Sequence, residues 1–410
     1  MNTASFIPIE AKSGLSRATL PDTFFTAFYH ALAPYRGCAH GCRYCDGRAE
    51  RYYVEGDFET AIAARVNLPE VVARDVELGL TAREYGSIGL GSGVTDVYQP
   101  LERDLSLTRR TLEALIPTNL PIVILTKNDL ILRDFDILAR FPRALVIVTV
   151  TTTDPEKAQI LEPGASPPEA RLEVVRRAKE AGFFAGVMAM PFCPGITLTG
   201  EETQKVFEAS IGAGADFVQP GGLTLRPGRQ KDFFISEVVA KHYPELAPLY
   251  AELYGENRKS GIPLAGPSTW YGAEFDAALR SLDIPQMIPH SIFREILSPC
   301  DSLFTLFCHM QSLYSARGVD TRPLRSATDR YVAWLLEERA TLRRKRVKIA
   351  PSDPFPITRV LGEMLADLAA SGGAKLEKLI GNDKLARLVA ELIEQNLVFD
   401  YPTLTTGTKR

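Results

Sequence analysis

Three cysteines lie close together near the start of the chain, at Cys38, Cys42 and Cys45. Thiolates are soft ligands that select zinc or iron–sulfur clusters. A structural zinc site takes four ligands, whereas three thiolates on one short loop can hold three irons of a cubane cluster and leave its fourth iron open. The spacing therefore favours an iron–sulfur cluster with one iron free to bind a cofactor or a substrate.

The alternative is a zinc knuckle of three cysteines and one further ligand. His40, inside the same loop, or a remote cysteine would then be the fourth ligand. Because His40 stands between Cys38 and Cys42, it could hardly face the same metal ion beside both neighbours. We expect its ring to lie behind the loop or at the surface.

Composition limits the classes of function. The chain has 410 residues and a formal net charge of −3, which does not fit a generally basic nucleic-acid binder. Nucleic-acid contact would need a local patch, such as Arg343–Lys348 or the arginines around the cysteine loop, Arg36, Arg43, Arg48 and Arg51. No secretory signal and no apolar run of ~20 residues is visible, so we expect a cytoplasmic protein without a membrane span, in which clustered cysteines are ligands.

The elements that must position the cysteines alternate between strand and helix patterns. Strands are predicted within residues 26–35, 87–93, 121–127, 144–153, 183–191 and 216–225. Amphipathic segments between them predict βα units and a parallel sheet, either doubly wound or closed into a partial barrel. In both folds function concentrates at the carboxyl ends of the strands, where glycine, proline and polar residues collect here.

Four parts of the chain are predicted. Residues 1–24 form an N-terminal segment, 25–230 the α/β core, 231–320 a helical continuation packed on that core, and 321–410 a small C-terminal helical domain.

The pattern C-x3-C-x-aromatic-C, with Tyr44 before the last cysteine, resembles the signature of the radical S-adenosylmethionine (SAM) enzymes. The flanking segments "PYRGCAHGCRYCDGRAE", "TDVYQPLE", "ILTKNDLILRDFDIL" and "TTTDPEKAQILEPGASPPEARLEVVRRAKEAG" resemble its spore-photoproduct-lyase-like branch, from about Tyr29 to Arg229. The resemblance implies a partial (β/α)6-type TIM barrel with a C-terminal helical extension. It also implies a 4Fe-4S cluster on the three cysteines, with SAM on the open iron. SAM would be cleaved to a 5′-deoxyadenosyl radical for hydrogen abstraction.

The same resemblance implies roles for residues at the strand ends. Tyr44 would lie near the adenine, Lys127 would meet the SAM carboxylate, and Arg171 would complete the carboxylate site or lie at the surface. The remaining cofactor-binding residues are predicted to be Gly91, Gly93, Thr95 and Asp96 near the SAM ammonium and Thr151 and Thr152 near ribose or carboxylate oxygens. Asp96 could instead cap a turn, and the threonines could be plain strand residues.

Cys193, at the end of a predicted strand, is either a hydrogen-atom donor to a substrate radical or a small buried hydrophobe. Cys300 and Cys308 are expected in the core. The resemblance further implies a one-electron donor, flavodoxin or ferredoxin, and a DNA photolesion as substrate. Asp46 departs from that branch, which commonly has tyrosine after the last ligand. RNA, a peptide or a small metabolite is the alternative substrate, and a non-catalytic zinc- or cluster-stabilised binding protein is the alternative class.

Overall fold

A computed structural model describes residues 6–23, 30–52, 56–79, 83–91, 94–264, 284–345, 348, 350 and 352–408. The strands of this part of the chain are β1 Ile7–Ile9, β2 Ser16–Arg17, β3 His30–Leu32, β4 Tyr35–Arg36, β5 Ala63–Arg65, β6 Ile88–Leu90, β7 Ile122–Thr126, β8 Ala144–Thr149, β9 Phe184–Phe192, β10 Phe217–Gly222, β11 Val398–Asp400 and β12 Thr405–Gly407.

The helices of the first part of the chain are α1 Leu68–Glu77, α2 Glu102–Leu105, α3 Leu107–Leu115, α4 Phe135–Leu138, α5 Pro155–Leu161, α6 Pro168–Glu180, α7 Gly200–Gly212, α8 Arg229–Phe234, α9 Ala240–His242 and α10 Ala247–Tyr254. A π-helical segment, Ile235–Val239, joins α8 to α9. The C-terminal helices are α11 His290–Ile296, α12 Pro299–Ser315, α13 Arg322–Arg344, α14 Pro356–Ile380 and α15 Asp383–Glu394.

The main sheet has the strand order β10-β9-β8-β7-β6-β3-β2. Strands β3 and β6 to β10 are parallel, and β2 pairs antiparallel with β3. A doubly wound sheet reverses its strand order at a switch point, whereas this order follows the sequence from β3 to β10. The prediction of an α/β partial barrel with a helical C-terminal region is thus confirmed.

Side chains on the central strands alternate between two apolar layers, as the pleat of a strand requires. On the outer face Ile122, Ile124 and Val146 pack in one cluster with residues of the helices α1, α3 and α6. On the inner face Val123 and Leu145 pack with residues of α11 to α15. The C-terminal helices therefore cover the concave face of the partial barrel.

The predicted domain boundary between residues 320 and 321 stays a prediction, and residues on both sides of it pack together. Residues of α12, before this point, and of α13 to α15, after it, belong to the same cluster on the inner face of the sheet. Within the described residues, no helix is both long and apolar enough to cross a membrane.

Candidate active site

The cysteine loop follows β4 and is shaped by two glycines in left-handed backbone conformation. Gly37 has φ +75° and Gly41 has φ +62°, values that favour glycine. A Cβ on Gly37 would lie 2.9 Å from the carbonyl oxygen of Phe58. Cys38 and Cys42 are buried and Cys45 is half-buried, so the loop turns its thiols toward the protein interior.

Arg48 supports the cysteine loop by hydrogen bonds to its carbonyl oxygens. Its Nε donates to the carbonyl of Cys42 at 3.0 Å and its Nη2 donates to the carbonyl of Gly41 at 2.9 Å. The guanidinium forms an ion pair with Glu59 and lies 3.9 Å from the centroid of the Phe233 ring. This arginine is therefore buried and engaged within the protein, and we assign its charge to the support of the loop.

Three thiols on one loop are the donor set that a cubane iron–sulfur cluster takes. Burial raises the pKa of the Cys38 thiol, and the charges of Asp96, Cys42 and Cys45 raise it further. Burial, above all, raises the pKa of Cys42 to about 12. The amide of Gly47 donates to Cys45 Sγ at 3.3 Å. Thiolates are the ligating form of cysteine, and cluster irons would supply the positive charge that three closely spaced thiolates need.

The ring of His40 lies behind the loop. Its Nε2 is 3.2 Å from the side-chain nitrogen of Asn128, and its Nδ1 is 3.4 Å from a carboxylate oxygen of Asp96. Over the described ranges, no group of three or more histidine, cysteine, aspartate or glutamate side chains, the three cysteines included, is arranged to hold a metal ion, so the donor set and its spacing alone favour a cluster. Both ring nitrogens of His40 face protein groups other than the cysteines.

Tyr44 connects the cysteine loop to a buried carboxylate. The Tyr44 hydroxyl donates to Glu162, which follows α5. Glu162 also accepts a hydrogen bond from Thr151 at 3.2 Å and lies 2.6 Å from Nη2 of Arg171. Burial would raise the pKa of Glu162, but the charges of Arg171 and Lys127 and the hydrogen bond from Tyr44 together lower it. Glu162 is thus a buried anion.

Lys127, just beyond the carboxyl end of β7, faces the same tyrosine. Its ammonium lies 5.7 Å from the centroid of the Tyr44 ring, a cation–π distance. Burial lowers its pKa, but the charges of Cys42 and Glu162 raise it above the ordinary value, so the side chain is cationic. Among the described residues no carboxylate lies within ion-pair distance of its ammonium. This half-buried cation is therefore available to an anionic ligand.

Residues 32–207 match the family model of the radical SAM superfamily. An uncharacterized protein of Mycobacterium tuberculosis, Rv2578c, is 32% identical over 257 residues, which are 61% of this chain and 74% of that protein. The chain belongs to the radical SAM superfamily. Membership in it implies a 4Fe-4S cluster and SAM.

Other similar proteins are more distant. An uncharacterized protein of Methanocaldococcus jannaschii, MJ0683, is 28% identical over 46% of this chain and 68% of its own length. Spore photoproduct lyase complexed with dinucleoside spore photoproduct gives a TM-score of 0.49 at 14% identity, with 67% of this chain and 79% of that chain covered. A TM-score and an identity this low do not extend the substrate of spore photoproduct lyase to this chain.

The predicted ammonium-binding residues of this radical SAM protein are engaged in backbone support. Asp96 accepts hydrogen bonds from the amides of Tyr98 and Lys127, at 2.8 and 2.7 Å, and from the Thr126 hydroxyl at 2.8 Å. Thr95 donates to the Gly37 carbonyl at 2.9 Å. Asp96 thus joins the segments that follow β6 and β7, and its role toward the SAM ammonium stays a prediction.

Glycine is required at Gly91 because a Cβ there would clash with the carbonyl of Leu125. The φ of +93° at this residue also favours glycine. The predicted role of Gly93 lies outside the described residues.

The remaining predicted contacts divide between Glu162 and Glu202. Thr151 donates to Glu162, and Thr152 donates to Glu202 at 3.1 Å. Arg171 is buried rather than at the surface, with its side chain 1% exposed. The structure therefore gathers Tyr44, Thr151 and Arg171 around one carboxylate and directs the Thr152 hydroxyl elsewhere.

Cys193 is fully buried behind the site. It packs in a cluster with Cys42 and Tyr44 as well as with Tyr250 and Tyr254. Burial, above all, raises the pKa of its thiol. These contacts match the small buried hydrophobe of the sequence analysis, and the hydrogen-donor role stays a prediction. Cys300 is buried and Cys308 half-buried in α12.

Two side chains that organise the site were not predicted. Glu162 is one, and Gln230 of α8 is the other. The Gln230 amide donates to the carbonyl of Tyr44 at 2.9 Å and to the carboxylate of Asp46 at 3.0 Å. The only sequence signal for Glu162 is a carboxylate directly before Pro163, where a helix must end, and Gln230 has none.

The basic run near the C-terminus is partly neutralised. Arg343 forms a bidentate contact with Glu84 at 2.7 and 3.0 Å. Arg344 is exposed, and Arg346 and Val347 lie outside the described residues. The contact of Arg343 assigns at least one member of the run to structural support.

Proposed function

We propose that this protein is a radical SAM enzyme whose Cys38, Cys42 and Cys45 hold a 4Fe-4S cluster with SAM on the open iron. When bound and reduced by flavodoxin or ferredoxin in the cytoplasm, this cofactor pair supplies a 5′-deoxyadenosyl radical that abstracts a hydrogen atom from the substrate. The observation that carries the proposal is that the loop of three thiols brings the Tyr44 ring to 5.7 Å from the Lys127 ammonium, which has no carboxylate within ion-pair distance among the described residues.

The protein groups divide the work by their chemistry. Arg48 and Gln230 fix the cysteine loop by binding its carbonyl oxygens. The Tyr44 ring, held by Glu162, offers an aromatic face to the adenine. The Lys127 ammonium binds the SAM carboxylate as a charge-assisted contact. Cys193 and its aromatic neighbours keep water from one side of the mouth, which protects a radical.

We propose a thymine photolesion in DNA as the substrate. The support is the order of motifs from Tyr29 to Arg229, which resembles the spore-photoproduct-lyase-like branch. A damaged base stacks and pairs less well than a normal one, so the cost of presenting it to an enclosed site is lower.

The test is anaerobic. The protein is reconstituted with iron and sulfide, reduced with dithionite and mixed with SAM and a dinucleotide carrying the spore photoproduct, with Cys42→Ala as the matched control. We expect 5′-deoxyadenosine and restored thymines from the wild type alone. Release of 5′-deoxyadenosine without lesion reversal would contradict the DNA substrate and direct the search to RNA, peptides and small metabolites. A colourless protein loaded with zinc would contradict the whole proposal.

A further inference from the structure

All three nitrogens of the Arg171 guanidinium contact acceptors of the protein. Its Nε donates to the carbonyl of Ser166 at 2.7 Å and its Nη1 donates to the carbonyl of Thr149 at 2.8 Å. Its Nη2 lies 2.6 Å from Glu162. Arg171 and Glu162 are 1% and 2% exposed, so this ion pair is desolvated and has fixed geometry.

A second cation lies on the other side of the same tyrosine. Tyr44 donates its hydroxyl to Glu162, and the Lys127 ammonium lies 5.7 Å from the centroid of its ring. The flexible lysine stem has four carbons, and its charge and that of Glu162 act on each other. Besides Arg171, Lys127 is the cation whose charge lowers the pKa of Glu162.

We propose that Arg171 is a positioning residue that neutralises Glu162 and thereby leaves the Lys127 ammonium free to bind the SAM carboxylate. A buried carboxylate without a counter-charge is costly, so removal of the guanidinium would draw Lys127 to Glu162. The rigid, planar guanidinium suits the permanent pair, and the flexible ammonium suits a ligand that comes and goes. This inference rests on the role of Lys127 in the proposed function.

The first measurement needs neither cluster nor SAM. The cluster-free protein is labelled with acetic anhydride, and the rate of acetylation at Lys127 is followed by mass spectrometry relative to the exposed Lys12. In Arg171→Gln and Arg171→Met we expect labelling of Lys127 to slow by roughly tenfold, because pairing with Glu162 favours the protonated ammonium and only the neutral amine attacks the anhydride. The Gln variant can still donate to the backbone carbonyls, which protects against misfolding.

The double variant Glu162→Gln/Arg171→Gln separates charge capture from general distortion. It also lacks the guanidinium, but it has no carboxylate to draw Lys127 away. We expect labelling of Lys127 at least as fast as in the wild type in the double variant and in Glu162→Gln, because both lack the Glu162 charge that raises the pKa of Lys127. Unchanged labelling in both single arginine variants would overturn the proposal. Slow labelling that persists in the double variant would overturn it as well, since the cause would be distortion.

The second measurement is the dissociation constant of SAM for cluster-loaded protein, by equilibrium dialysis. We expect Arg171→Gln to weaken SAM binding roughly tenfold, the loss typical of one charge-assisted hydrogen bond, with unchanged iron content and recovery in the double variant. Lys127→Ala separates the role of Lys127 in SAM binding from the positioning role of Arg171. If Lys127→Ala binds SAM as tightly as the wild type, the proposed role of Lys127 fails. If it weakens binding while Arg171→Gln does not, only the role of Arg171 fails.

Discussion

The mouth of the barrel and the inner face below it are built by opposite means. At the mouth, loop carbonyls and buried charges are joined by Arg48, Glu162 and Gln230. Below it, side chains such as Val123 and Leu145 interdigitate with the C-terminal helices in an apolar cluster. Hydrogen bonds fix direction, which a cofactor site needs, whereas apolar burial contributes stability without direction. Changes at the mouth should therefore cost chemistry, and changes below should cost stability.

Two polar groups interrupt the apolar region and join segments that are distant in sequence. Arg339 of α13 binds Asp301 of α12 at 2.7 and 2.8 Å and lies 3.2 Å from Glu84. His290 accepts the amide of Phe399 at 2.9 Å, which connects α11 to β11. These groups fix how the C-terminal helices dock. Their replacement tests whether polar contacts on the inner face serve stability rather than chemistry.

Replacement of a proposed cluster ligand should give the largest effect on chemistry and a small one on folding. We expect Cys38→Ala to abolish cluster assembly and 5′-deoxyadenosine release, because three cysteines are needed to hold three irons. The urea concentration at the midpoint of unfolding of the cluster-free chain should match that of the wild type. The matched control is Cys308→Ala in α12, which should retain iron. Equal iron content in both variants would contradict the assignment.

Loss of the buried arginine should give the largest effect on stability. Arg339→Met leaves Asp301, 1% exposed, without its counter-charge, whereas Glu84 keeps its contact with Arg343. We expect the free energy of unfolding in urea to fall by about 3–5 kcal/mol, as for other broken buried ion pairs. The exposed Arg344→Met should stay within about 0.5 kcal/mol of the wild type. If Arg339→Met lowered the free energy of unfolding no more than Arg344→Met does, the inner face would not depend on this ion pair for its stability.

Acid should weaken the C-terminal region through two buried histidines. Burial, with the charges of Arg294 and His309, lowers the pKa of His290 to about 3, and burial lowers that of His309 to about 4. The unfolded chain, with a histidine pKa of about 6.5, binds more protons. Stability is therefore full above pH 6.5 and is lost as the pH falls toward these folded values.

The expected loss between pH 7.5 and pH 5 is about 2 kcal/mol for each of these histidines. It is measured by urea unfolding of the cluster-free chain at both pH values. His290→Gln/His309→Gln, which cannot titrate there, should flatten the pH dependence by about 4 kcal/mol. An identical slope in the wild type and in this double variant would show that neither histidine carries the acid sensitivity.

A smaller effect is expected from one added methyl group on the inner face. Gly186 of β9 pairs with Phe217 of β10, and a Cβ at Gly186 would clash with the Phe217 ring. Gly186→Ala should destabilise the fold by about 1–3 kcal/mol through overpacking. The control is Gly212→Ala at the end of α7, where a Cβ has no neighbour within 4 Å. Equal urea midpoints for both variants would mean that the inner face is loosely packed.

Local patterns in the sequence predict the strands and the cysteine loop. The apolar runs predict β7 within residues 121–127 and β8 within 144–153, and the structure gives Ile122–Thr126 and Ala144–Thr149. The predicted strand end past Thr149 is wrong because the chain turns there toward α5. These features depend on neighbours a few residues apart, which is the range that periodicity and spacing report.

The sequence by itself determined the superfamily signature, the α/β class and the residues that stand at the strand ends. Only the tertiary structure decided which of them face one another. It brought Tyr44 to Glu162 across 118 residues and Gln230 to Tyr44 across 186 residues, and it placed the C-terminal helices on the inner face of the sheet. Contacts at such separations depend on how whole elements pack, and a side chain's own neighbours in sequence do not encode them.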